Sequence, residues 1–210
     1  MALSEKQKQK KLAKKKQQRK VHAKALNQNR VPMGKAKSYA KSPIHECLIP
    51  SNLFESGLGT AIVTRRTLEG DIAISAFIVD VFCLGVKNAL FKVVSENEYE
   101  HTLKPQIIES NNGIAFEKIH QTCARKLIEG AVQYADNLGF NSHPDYKNTK
   151  NIFGDIDSSV CPVKFVYGNE GKPYYMRGPN ESMNDAKKII DKLSKKCGED
   201  GFEYMVMTDE

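Results

Sequence analysis

What the chain lacks narrows its class before any motif is considered. Its longest apolar run, Ile72 to Gly85, is interrupted by Asp80 and falls short of the ~20 apolar residues a membrane-spanning helix needs. The first thirty residues contain no apolar core of a secretory signal, so no export is expected. The five cysteines, at 47, 83, 123, 161 and 197, include no CxxC pair. That scatter argues against a disulfide framework and against a zinc ribbon or finger. A reducing compartment is expected, the cytoplasm, or the nucleus if the host has one. Neither an HExxH helix nor an EF-hand loop is present. The Gly57 and Gly59 pair has no helix pattern behind it and reads as a turn, not a phosphate cradle.

Acidic residues are scarce in one region only. Residues 1–43 hold 14 Lys and Arg against the single acid Glu5, a charge of +13. The remaining 18 Lys and Arg against 24 Asp and Glu give −6 for residues 44–210, and the two sum to the net +7. A basic arm followed by an acidic body is the pattern of a tail that meets a polyanion. Residues 4–30 carry too few large apolar groups to offset chain entropy, so they are expected to be intrinsically disordered alone. Lys10, Lys11, Lys14, Lys15, Lys16, Arg19 and Lys20 are the expected phosphate contacts. RNA or a ribosome is the expected partner, with DNA as another possibility and no membrane. Residues 31–43, with Pro32, Gly34 and Pro43, read as a linker. The globular domain is expected to span 44–210.

The body is organised around Asp71 to Val94, the stretch richest in β-branched and aromatic residues. Ile72, Ile74, Ala76 and Ile78 share one side of a strand, and Ala73, Phe77 and Val79 fill the other. Apolar residues on both sides imply cover on both sides. Leu84-Gly85 is expected to turn this strand into Val86–Val94, with Asp80 opposite Ala89 and Lys87 on the diagonal. Asp80 breaks the apolar pattern, and a carboxylate there is costly unless paired, as with Lys87, or hydrogen-bonded, which also makes it the first candidate for chemistry.

Around that centre, His45–Ile49 and Thr60–Arg66 read as strands. Ser95 caps a short helix that should stop before Pro105. A long helix is expected over Ile114–Leu138, with His120 and Cys123 on its buried arc and Gly130 marking close approach to the sheet. Residues 162–167 and 173–177 read as an aromatic hairpin. A helix from Ser182 to Cys197 and a last strand at 202–207 complete the fold. The expected class is α+β: a mostly antiparallel sheet packed by the long helix and the C-terminal helix.

Two functions follow. The first is a nucleic-acid- or ribosome-associated binding protein anchored by the arm and needing no cofactor. The second is a metal-dependent hydrolase or nuclease in which Asp80 and His120 serve catalysis while His143, Asp145, Asp155 and Asp157 hold a divalent cation. Such an oxygen-rich set favours Mg²⁺ or Mn²⁺ over Zn²⁺. In that chemistry the metal activates water and a histidine moves a proton. The two differ in whether those six side chains meet.

Overall fold

The computed structural model describes residues 35–178 and 181–206. The expected disorder of the arm and its phosphate contacts lie outside them. The described chain opens with a short helix, α1 (Lys35–Ser38), inside the segment that reads as a linker. Ala36 of that helix is buried and Tyr39 lies against the Phe91 ring, centroids 6.0 Å apart. Apolar side chains in a Gly- and Pro-flanked stretch thus join it to the body.

Five antiparallel strands form the main sheet. They are β1 (Ile44–Pro50), β2 (Leu58–Arg66), β3 (Ile72–Asp80), β4 (Gly85–Val94) and β5 (Phe116–Lys118), in the spatial order β4-β3-β2-β1-β5. A short helix, α2 (Leu53–Ser56), joins β1 to β2. The expected α+β class holds, and β3 is an interior strand covered on both faces except at Ile78. Its even-numbered residues Ile72 and Ile74 join Leu48, Ile62 and Val94 under Tyr99. The odd-numbered Ala73, Phe77 and Val79 join Cys47, Ala61 and Val63 in the larger core.

The cover on the first face is a continuous helical stretch, residues 96–110. It begins as α3 (Glu96–Glu98), passes through a π turn at Tyr99–Leu103, and ends as α4 (Lys104–Ser110). Ser95 caps it as expected, accepting from the Glu98 N–H at 3.1 Å. The helix runs past Pro105 instead of stopping. The proline sits in the first turn of α4, directly after the π turn, where its missing N–H costs little.

The opposite face is covered by α5 (Gln121–Asn137) and by residues 143–157, which include α6 (Tyr146–Thr149) and a 3₁₀ turn, Lys150–Phe153. The long helix therefore begins seven residues later than its apolar pattern suggests. Residues 116–118 pair with β1, because extending the sheet satisfies more backbone than one further helical turn.

Gly130 does mark a close approach, but to a ring. A Cβ there would collide with the Tyr167 hydroxyl, which donates to the Leu127 carbonyl at 2.9 Å. The aromatic segment turns as expected at an antiparallel Asn169–Lys172 bridge, but 162–167 and 173–177 do not pair as strands. Its second half, β6 (Tyr174–Met176), pairs in parallel with β7 (Glu203–Met205), joined through helix α7 (Met183–Cys197). This unit closes a separate apolar cluster of Cys83, Leu84, Leu138, Tyr175 and Leu193.

Two cysteines correct the reading of a scattered set. Cys123, in the first turn of α5, is disulfide-bonded to Cys161 across 38 residues. Spacing in sequence hid this pairing, since the segment after α6 returns over α5. Arg125 and Lys126 hold the same segment by donating to the Ile156 and Cys161 carbonyls at 2.6 and 2.8 Å. No helix among the described residues is long and apolar enough to cross a membrane.

Candidate functional site

Asp80 ends β3 and caps the turn that follows. Its Oδ1 accepts from the N–H groups of Phe82 and Cys83 at 3.0 and 2.8 Å. The register places Asp80 opposite Gly85, and Phe77, not Asp80, opposite Ala89. A bulge between Ile78 and Val79 and a four-residue turn shift the pairing. The turn residues Val81 to Leu84 are all buried, so their N–H groups need an acceptor other than water. Asp80 supplies it.

The carboxyl is 7 % exposed. Burial pushes it up to about 6, against the opposing pull of the turn N–H groups and Lys87. Lys87 does not pair with Asp80. Its ammonium lies 2.6 Å from Glu181, whose other oxygen accepts from the Tyr175 hydroxyl at 2.7 Å. Burial would raise the Glu181 carboxyl, but Lys87 and Tyr175 hold it below its ordinary value.

His120 does not sit on the buried arc of a helix. It is the exposed N-cap of α5, with Nδ1 2.7 Å from the Thr122 hydroxyl. It borders a surface cleft of about 320 Å³ shared with His45, Glu46 and Lys118. That cleft is near the start of β1, where Glu46 lies opposite Thr64, whereas Asp80 lies opposite Leu58. Six residues of strand separate the two levels, about 20 Å at ~3.3 Å per residue. Asp80 and His120 do not meet.

Nor does the 143–157 segment gather at one point. His143 donates its N–H to the Val86 carbonyl, at the Asp80 end of the sheet. Ten residues on, Ile152 and Phe153 offer their carbonyls to Arg65, at the other end. Asp145 lies beside His143, with 3.8 Å between carboxylate and ring nitrogen. Asp155 is exposed, and Asp157 caps the 3₁₀ turn Ser158–Val160 by accepting from the Ser159 N–H at 2.9 Å. The segment is a strap along the sheet, and of its three acids Asp157 is the one that caps the backbone.

Two groupings escaped the sequence reading. Arg65 is 3 % exposed and is met by main-chain carbonyls. It donates Nε to Ile152 at 2.7 Å, one terminal nitrogen to Phe153 at 2.8 Å and the other to Ser42. Burial holds the guanidinium below its ordinary value. One side chain thereby ties α1's exit, the strap and the sheet. The only available sign was a second arginine in an alternating strand, directed to the apolar face.

The second is a charge cluster where β1 meets the 96–110 helix. Glu46 accepts from the Tyr99 hydroxyl and the Lys104 ammonium, both at 2.7 Å, and Lys104 also reaches Glu100 at 3.2 Å. Burial raises the Glu46 carboxyl, but the two hydrogen bonds outweigh it and hold it low. Arg66 donates to His45 Nδ1 at 3.2 Å. A guanidinium cannot accept, so the neutral ring carries its proton on Nε2, which faces Glu100 at 3.6 Å.

Among the described residues, His45, Glu46 and Glu100 are the one group whose ligand atoms lie within 4.8 Å of one another. The Lys104 ammonium already stands between the two carboxylates, supplying the positive charge that a cation would bring. The cluster is chemically an internal ion-pair network over a fully buried tyrosine, Tyr99.

No protein-family model matches the chain, and no curated protein or solved structure resembles it significantly. The site must be read from its own chemistry.

Proposed function

We propose that this is a nucleic-acid- or ribosome-associated binding protein whose basic segment supplies the affinity. The observation that carries this reading is the division of charge, +13 in residues 1–43 against −6 beyond. A dense lysine segment neutralises phosphates and releases counterions with little demand on sequence. An acidic body is repelled by the same polyanion, so it projects away and remains free for other contacts. RNA, free or ribosomal, is the first partner, with DNA binding by the same chemistry.

The body supports this reading by what its acids and histidines do. Asp80, His120 and Asp157 each cap a turn or helix, and Glu46 and Glu181 each answer a lysine. A hydrolase needs such groups converging on one bond, and here they are spread along the sheet.

The deciding experiment compares full-length protein with a chain lacking residues 1–33, a cut that leaves α1 on the body. Binding to single-stranded RNA and to purified ribosomes is followed across a salt series. Full-length protein should lose affinity steeply with salt and the shortened chain should not bind. Equal binding by the two would remove the arm as anchor.

A further inference from the structure

We infer that β4 is a self-pairing edge through which two copies of this chain join their sheets. The β2–β3 hairpin closes with the Thr67 N–H donating to Asp71, and the Arg66 N–H turns the other way, to Pro43. Alternation then directs the odd-numbered backbone groups of β3 toward β2 and the even-numbered ones toward β4. On β4 the even-numbered residues therefore bond β3, since Ala76 faces Leu90 and Ile74 faces Lys92. Ala89, Phe91 and Val93 point out of the sheet.

β4 is the outermost strand of its sheet. Asn88 folds its own side chain back to accept from the Ala89 N–H at 2.8 Å. The N–H and carbonyl groups of Phe91 and Val93 meet no hydrogen-bond partner among the described residues. An open row of this kind is a template for another extended strand. Beside it the sheet face is bare. Leu90 is 50 %, Leu58 41 % and Ile78 38 % exposed, because the 96–110 helix covers only the other half of that face.

The occupant that fits is a second β4. A two-fold axis at Phe91 sets Phe91 against Phe91, Ala89 against Val93 and Leu90 against Lys92. The stem of Lys92 can then cover the partner's exposed leucine. Its ammonium is already answered by Glu98 at 2.8 Å, so no lysine faces a lysine. The outward N–H and carbonyl groups at the centre exchange hydrogen bonds, and two five-stranded sheets become one. The chain's own arm is a poor alternative, since residues 4–30 offer few apolar groups to lay on Leu90 and Ile78.

The test is sedimentation of full-length protein over a concentration series, with amide hydrogen exchange at both extremes. A concentration-dependent dimer is expected, in which the Phe91 and Val93 amides gain protection as the dimer forms. Leu90→Lys sets lysine against Lys92, and Val93→Pro removes one outward N–H without touching the β3 ladder. Both variants should be monomers that melt like the dilute parent. If Val93→Pro fails to fold, Leu90→Lys decides alone.

A monomer at every concentration would overturn the proposal, as would a dimer that Leu90→Lys leaves intact. Protection in a monomer that vanishes when residues 1–33 are removed would assign the edge to the arm and overturn it equally.

Discussion

Asp80 and Arg65 show how one buried charge can serve as a local fastener. Each is satisfied by main-chain groups instead of an opposite charge, so each should respond to substitution through the backbone it holds. The Asp80 carboxyl is raised to about 6 by burial, so the folded state takes up a proton at higher pH than the unfolded chain does. Its contribution is therefore most favourable below pH ~4 and is lost as pH rises toward 6. Asp80→Asn keeps an acceptor for the turn and removes the buried charge. The variant should melt at least as high as the parent at pH 7, and its stability should vary less between pH 4 and 6. Thermal melts across that range check it; a variant that melts far lower at pH 7 would mean the charge itself is needed.

Arg65 behaves oppositely. Arg65→Lys retains the charge but cannot reach three carbonyls with one ammonium in the geometry of a fork. Leaving buried carbonyls unmet costs about 1–3 kcal/mol each. A loss of about 2–4 kcal/mol is expected by urea unfolding, together with faster amide exchange across residues 150–157. Exchange confined to the parent's rate would show that the strap holds without it.

Among the elements, the strap and α5 depend on each other through the disulfide, Arg125 and Lys126. In the chain-entropy account, closing a loop of 38 residues is worth about 4 kcal/mol. Cys161→Ser should then lower the melting temperature by about 10 °C, on the scale of ~2–4 °C per kcal/mol for a domain of this size. Cys197→Ser, at a half-buried free thiol, should change it little. Equal effects from the two variants would show that the bond contributes nothing.

These elements also mark how far the sequence could be read. Ile72, Ile74, Phe77 and Val79 announce an interior strand by apolarity alone, and Ser182 announces α7 by its capping box, accepting from the Asp185 N–H as expected. Such signals are local. The errors lie where distant segments compete for the same residues. Phe116–Lys118 carry a helical pattern but are taken by β1, and the β3–β4 register is shifted by a bulge that has no residue signature. His120 illustrates the consequence for the site: one displaced helix start moves it from the core to an exposed cap. Glu46 was invisible for a related reason. Its partners Tyr99 and Lys104 lie more than fifty residues away.

For the whole molecule, the separation of charge makes a quantitative demand on any binding measurement. If the arm is the anchor, the logarithm of the association constant should fall linearly with the logarithm of salt, by about 0.7 for each phosphate neutralised on a single strand. Replacing Lys14, Lys15 and Lys16 with Gln should reduce that slope by about 2 and weaken RNA of any sequence alike. A slope unchanged by the triple substitution would place the contacts elsewhere.

The Cys123–Cys161 bond also has a topological consequence. It makes residues 123–161 a covalent ring that contains α5 from Cys123 onward, all of α6 and the 3₁₀ turn after it. A protease that nicks the chain anywhere within that ring cannot release either product. One cut there should migrate as an intact chain on a non-reducing gel and as two fragments after reduction. A cut at the exposed Leu68 in the β2–β3 turn lies outside the ring and should give two fragments under both conditions.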